Sequence, residues 1–178
     1  MHSFAKRTIL LFLTACLMLI MAGVAAAQSG AGQIRFVHVL PGAGAVDIYV
    51  NDAPTVRQLN FGEATTYIEA PAGSHRITTT LAGTRTPLWE QDFTVAPGQA
   101  YTLAVSTTEP LSWNAFTDDL NPLALGQTRI TAIHAIADAP PVDVVLADGR
   151  AVVAGLSYNQ PYGTLDIPAL TYELGIVP

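Results

Sequence analysis

The sequence predicts an all-β fold, an immunoglobulin-like or transthyretin-like β-sandwich with one complete and one partial repeat. Three observations carry this. Helical periodicity is almost absent from the chain after its first segment. Short β-branched and aromatic runs recur at close spacing, punctuated by Pro, Gly, Asn and Asp. The chain also repeats itself: Ile34-Arg-Phe-Val-His38 followed by Val46-Asp47-Ile48 returns as Ile130-Thr-Ala-Ile-His134 followed by Val142-Asp143-Val144, 96 residues on.

Residues 1–27 come first and read as a cleaved signal peptide. Lys6 and Arg7 give a cationic start, residues 9–21 an apolar run, and Ala25-Ala26-Ala27 a small-residue cleavage site before Gln28. A retained membrane anchor is disfavoured by the Ala/Gly-rich second half of the run. Leu13-Thr14-Ala15-Cys16 resembles a lipobox, so lipoprotein anchoring at Cys16 is the minor alternative. Each route takes the protein out of the cytoplasm, to the cell envelope or beyond.

Residues 28–108 form the first sandwich module. Its expected strands are 33–40, 45–50, 56–61, 64–70, 74–81, 88–95 and 99–107. Pro71-Ala72-Gly73 and Pro97-Gly98 join a residue of fixed φ to one that accepts positive φ. Asn51-Asp52-Ala53-Pro54 is a loop cluster of the same chemistry. Seven short strands so spaced suit a sandwich or a barrel.

Residues 109–127 break the rhythm and read as a linker that packs its own apolar residues. Residues 128–178 then open a partial second module. The offset grows to 97 where Leu59-Asn-Phe61 meets Leu156-Ser-Tyr158, and where Ile68 to Ala72 meets Leu165 to Ala169. Asp148-Gly149 reads as a hairpin turn. Pro178 falls opposite Leu81, leaving strands 88–95 and 99–107 without counterparts. A truncated gene or fragment is the preferred explanation; strands supplied by a partner or a second copy are the other.

Charge narrows the partners. Of the eight Lys and Arg, Lys6 and Arg7 lie in the signal, so the remainder carries six, all arginine, against all 14 acids: a net charge of −8. An acidic, lysine-free chain suits neither nucleic acid nor an anionic membrane surface. The lone Cys16 also lies in the signal, so the mature chain holds no disulfide, thiolate nucleophile or Cys-ligated metal.

The run Val37-His38-x-x-Pro41-x-x-x-x-Val46-Asp47-Ile48-Tyr49-Val50 resembles the opening of the bacterial family catalogued as domain of unknown function 4397. Leu59-x-Phe61-Gly62-Glu63-Ala64, Tyr67 and Pro71-Ala72-Gly73 fit it too. The resemblance implies an exported protein, often with this module in tandem, and implies no biochemical activity. The second copy departs from the pattern at Pro140-Pro141 and at Leu170, which stands where Gly73 stood.

His38 and Asp47 recur as His134 and Asp143, nine apart each time. Ile34, Phe36, His38 and Leu40 share one strand face, which places His38 at the end of a buried stripe. Asp47 lies on the face opposite Val46, Ile48 and Val50. The structural reading has His reaching a backbone carbonyl or the Asp, pinning the turn. The rival is a metal pair or general base, hence a metal-assisted hydrolase, but no third ligand recurs at fixed spacing.

Asp118-Asp119 with Asn121 lacks the alternating ligands of a calcium loop and reads as a solvated acidic turn. Trp89, Trp113, Tyr49, Tyr67 and Tyr101 suit either a sugar-binding platform or core packing. His75 sits mid-strand without a positioned partner. No Gly-x-Ser-x-Gly, Ser-x-x-Lys, P-loop or dinucleotide fingerprint is present. The expectation is a non-catalytic binding or structural protein without cofactor or metal, meeting a polysaccharide or an envelope protein. Self-association through the partial module is a further expectation.

Overall fold

The computed structural model describes residues 30–106, 112–160 and 165–178, and these hold thirteen strands and no helix. The expected signal segment with Cys16, and the first residues of the expected linker, lie outside the described residues. None of the described helices is long and apolar enough to cross a membrane, since there is none.

Residues 31–118 form a two-sheet sandwich. One sheet runs β4 (Ile68–Pro71), β1 (Ala31–His38), β7 (Ala100–Ser106), β8 (Ser112–Asp118). The other runs β3 (Ala53–Leu59), β2 (Val46–Val50), β5 (Gly73–Leu81), β6 (Pro87–Val95). All neighbours are antiparallel except β1 and β7, which run parallel. Ile34, Phe36, Ala70, Leu103 and Trp113 from the first sheet meet Val46, Ile48, Leu59, Ile77 and Val95 from the second. That is the face-to-face core the alternation predicted.

The turns follow from residue chemistry. Asn51 and Asp52 both take positive φ (50° and 64°), closing the β2–β3 hairpin with the two residue types that tolerate this conformation best after glycine. Gly32 has a different task. A Cβ there would lie 2.5 Å from the Val95 side chain and 2.7 and 2.8 Å from the carbonyl oxygens of Gln99 and Ala96. Two of those three neighbours are backbone, so β1 would have to move off the β6–β7 corner. Gly32→Ala is therefore expected to cost about 1–3 kcal/mol, read by chemical denaturation. An unchanged midpoint would refute the close approach.

The expected linker is corrected here. Residues 112–118 form β8, pairing antiparallel with the whole of β7. Phe116, Asn114 and Thr102 are buried although they point away from the sandwich core. Asn114 donates to the Tyr158 hydroxyl at 3.3 Å, so later residues cover this outer face. Trp113 supplies the apolar anchor. Pro110 and Asn114, which look like breakers in sequence, obscured the strand.

Beyond β8 come β9 (Gln127–Ile130), β10 (Val142–Leu146), β11 (Ala151–Leu156), β12 (Leu165–Pro168) and β13 (Leu174–Val177). β12 pairs with β9, while β11 and β13 flank β10. The registers match those of the sandwich at offsets of 96 and 97. Ile34↔Ile68 has its counterpart in Ile130↔Leu165, Val46↔Leu59 in Val142↔Leu156, and Ile48↔Thr79 in Val144↔Ile176. The hairpin turn at Asp148-Gly149 is present, with Gly149 at φ 82°.

Candidate functional site

His38 ends β1 wholly buried. Its Nε2 donates to the Gly44 carbonyl at 3.0 Å, and its Nδ1 accepts from the Leu40 N–H at 3.3 Å. Those partners specify the Nε2–H tautomer and use both ring nitrogens. Between them they fix both ends of the loop that leads to β2. His134 repeats this, with Nε2 donating to Pro140 O at 3.2 Å and Nδ1 accepting from Ile136 N at 3.3 Å. The carbonyls match as well: His38 O accepts from Gly62 N, and His134 O from Asn159 N.

Asp47 does not meet His38. It lies opposite a β-bulge, where Arg57 and Gln58 stand against one residue of β2 and the register slips between Val46 and Ile48. Gln58 takes φ 53°, which its side chain disfavours. Asp47 Oδ1 accepts the Gln58 N–H at 2.8 Å; Oδ2 accepts the Gly83 N–H at 3.1 Å and Arg57 Nη1 at 2.9 Å. Burial pushes this carboxyl up, but the two backbone donors and the Arg57 guanidinium together outweigh it, so its pKa falls below the ordinary 3.8. Asp143 holds the equivalent bulge, accepting Gly155 N–H at 2.7 Å with Gly155 at φ 64°. The Val-Asp motif is thus a carboxylate that stabilises a bulge.

The other candidates resolve as follows. Asp118 is not a solvated acid. Its Oδ2 accepts from Thr102 Oγ1 at 2.6 Å, and Arg35, itself donating to Thr102, lies 3.6 Å from Oδ1. Arg35 also stacks over Tyr67, 4.9 Å from the ring centroid, and burial together with Asp118 pushes the Tyr67 phenol up. Asp119 binds Arg129, which forks onto Asp166 through two 2.8 Å bonds and donates to the Asp119 and Asn121 carbonyls. Among the described residues no three His, Cys, Asp or Glu converge as a metal site needs.

The aromatic residues divide between core and outer faces. Trp113 packs in the core against Phe36 and Trp89, and Tyr101 lies edge-on to Phe93, 5.0 Å between centroids. Tyr49 is on the outer face of its sheet under Arg57. They form no common platform. His75, expected without a partner, has two: Pro71 O at 2.7 Å from Nε2 and Asn51 Nδ2 at 3.0 Å from Nδ1. The turn residue Asn51 comes beside it because β2 and β5 are adjacent, a long-range pairing no local pattern reveals.

Sequence reasoning missed Arg57, Gln58, Gly83 and Arg129. The first three converge on Asp47 only once β2, β3 and the turn after β5 are assembled. Arg129 and Asp166 were legible in principle, since they occupy the places of Gln33 and Glu69, which pair across β1 and β4.

No curated protein matches the chain. The profile of the family described as "Domain of unknown function (DUF4397)" matches residues 32–145, which takes in every strand of the sandwich, both His–Asp motifs and the opening of the later strands. The chain belongs to that family.

Proposed function

We propose that the protein is an exported, non-catalytic β-sandwich protein with a binding or structural role at the bacterial cell envelope or outside the cell, its later strands being a second, partial copy of the same module. One observation supports this above others: the repeated His and Asp side chains spend their donors and acceptors on backbone groups of their own loops and bulges. Groups so committed brace a scaffold; a general base or metal ligand needs a free lone pair facing substrate. The signal-like first segment and the acidic, lysine-free composition fit the extracytoplasmic reading.

The test is co-sedimentation of residues 28–178 with insoluble cell-wall material and a panel of polysaccharides across protein concentrations. Saturable retention on one material is the expected result. Release of soluble fragments from that material, abolished by a chelator, would overturn the non-catalytic reading in favour of metal-assisted hydrolysis.

A further inference from the structure

The outer face of the β3–β2–β5–β6 sheet carries a cleft of about 210 Å³, set between Tyr49, Asp52, Arg85 and Glu90 and floored by Thr78 and Thr80. Tyr49 and Thr78 stand opposite each other on adjacent strands, and alternation turns Thr80 to the same face. The braces described above spend their donors and acceptors on the protein itself. Two side chains here do not: among the described residues those of Asp52 and Arg85 make no hydrogen bond or ion pair.

The other members hold the cleft in shape. Thr78 donates to Glu90 Oε2 at 3.0 Å, which fixes that carboxylate on the rim. Thr80 donates to the Thr84 carbonyl at 3.3 Å and Asp47 accepts the Gly83 N–H, so the turn that carries Arg85 is tied down at two points. Arg57 lies over the Tyr49 ring, 5.1 Å from its centroid, and donates to its hydroxyl at 2.9 Å. Arg57 belongs to β3, whereas Thr78, Thr80 and Glu90 belong to β5 and β6 on the other side of β2, which leaves the ring's second face to the cleft.

The fold does not require these groups. In the later strands Val145 pairs with Gly175 and Asp143 with Val177, as Tyr49 pairs with Thr78 and Asp47 with Thr80. The same registers form with Val, Gly and Val in place of the ring and both hydroxyls.

Size and charge identify what would fit. The volume is below the roughly 300–1,000 Å³ that takes a drug-sized molecule, and suits one ring rather than several. Asp52 and Glu90 oppose an anion, while Arg85 opposes a cation. A neutral ring edged with hydroxyls meets neither penalty. Its O–H groups would donate to the two carboxylates, its oxygens would accept from Arg85, and its C–H face would lie on Tyr49. We propose that this cleft binds one pyranose ring of a neutral polysaccharide. The proposal rests on the binding form of the reading above and names its ligand class and its site.

The probes are the neutral hexamers cellohexaose, maltohexaose and N-acetylchitohexaose, with deacetylated chitohexaose and hexagalacturonate as cationic and anionic comparators. Each is titrated into the 28–178 chain and followed by NMR amide shifts. The expected result is saturable binding of at least one neutral hexamer, with shifts centred on Tyr49, Asp52, Thr78, Arg85 and Glu90. Both charged hexamers should bind about tenfold more weakly or worse. Arg85→Gln and Asp52→Asn should each weaken binding about tenfold, the loss of a charged hydrogen-bonding group. Neither should move the melting temperature, because neither side chain bonds within the protein and Asn tolerates the positive φ of Asp52. Tyr49→Val, which installs the residue found at that place in the later strands, should abolish binding. Binding of a neutral hexamer that none of these variants weakens would overturn the site and leave the binding reading standing. Preference for a charged hexamer, or retention on wall material without response to any neutral hexamer, would overturn the ligand class. Failure to bind any saccharide or wall material would overturn both the proposal and the binding reading.

Discussion

Asp47→Ala is expected to destabilise the sandwich by about 2–5 kcal/mol, the cost of leaving two backbone donors without an acceptor. Asp47 is 1% exposed, and alanine would strand three donors at once. The Gln58 N–H would lose the acceptor that makes its positive φ tolerable, and the Gly83 N–H would lose its partner across the next turn. Arg57 is half exposed and can turn to water, so the backbone donors carry most of the loss. Asp47→Asn should recover part of it, since one amide oxygen still serves Gln58 while the amide nitrogen faces the guanidinium.

The same carboxylate sets an acid limb. Its folded pKa lies below the ordinary 3.8, so the stability it confers is complete above about pH 5. That stability is lost as pH falls through 3.8 towards the lower folded value. Glu63 adds to the same limb, because the Asn60 N–H and side-chain amide hold its carboxyl down. Unfolding free energy measured from pH 6 to pH 3 should therefore fall less steeply in Asp47→Asn than in the parent. Parallel slopes would show that the carboxylate is not held in the charged form. Tryptophan fluorescence suits this measurement, because Trp89 and Trp113, the chain's two tryptophans, both pack in or against the sandwich core.

These arguments separate what the sequence makes legible from what it conceals. Local alternation and turn chemistry located the first seven strands to within a few residues, because a half-buried strand must alternate and a tight turn must use Gly, Asn, Asp or Pro. β8 escaped because Asn114 and Asp118 look like loop residues and Phe116, buried on the same outer face, breaks the apolar–polar alternation; that face is met by Tyr158 from later in the chain. The His–Asp motif was visible as a repeat, but its purpose was not. Nothing in Gln58 announces a positive φ. Only Gly155, which stands in its place, hints that the backbone there needs one.

His38→Ala is the second large effect, about 3 kcal/mol, and its comparison with His134→Ala decides what the motif is for. At His38 alanine would open a cavity the size of an imidazole in a site with no exposure, remove the edge-on contact with Phe61, and leave Gly44 O and Leu40 N–H unpaired. At His134 the hydrogen bonds are the same in kind, but the ring is 7% exposed and water can reach the freed groups more readily. A cost of about 1 kcal/mol is expected there. That loss would escape tryptophan fluorescence, so both variants are best compared by calorimetry. A brace predicts this inequality and no change in the parent's melting on adding chelator. A metal ligand predicts the reverse, a chelator-sensitive parent whose sensitivity disappears in each variant.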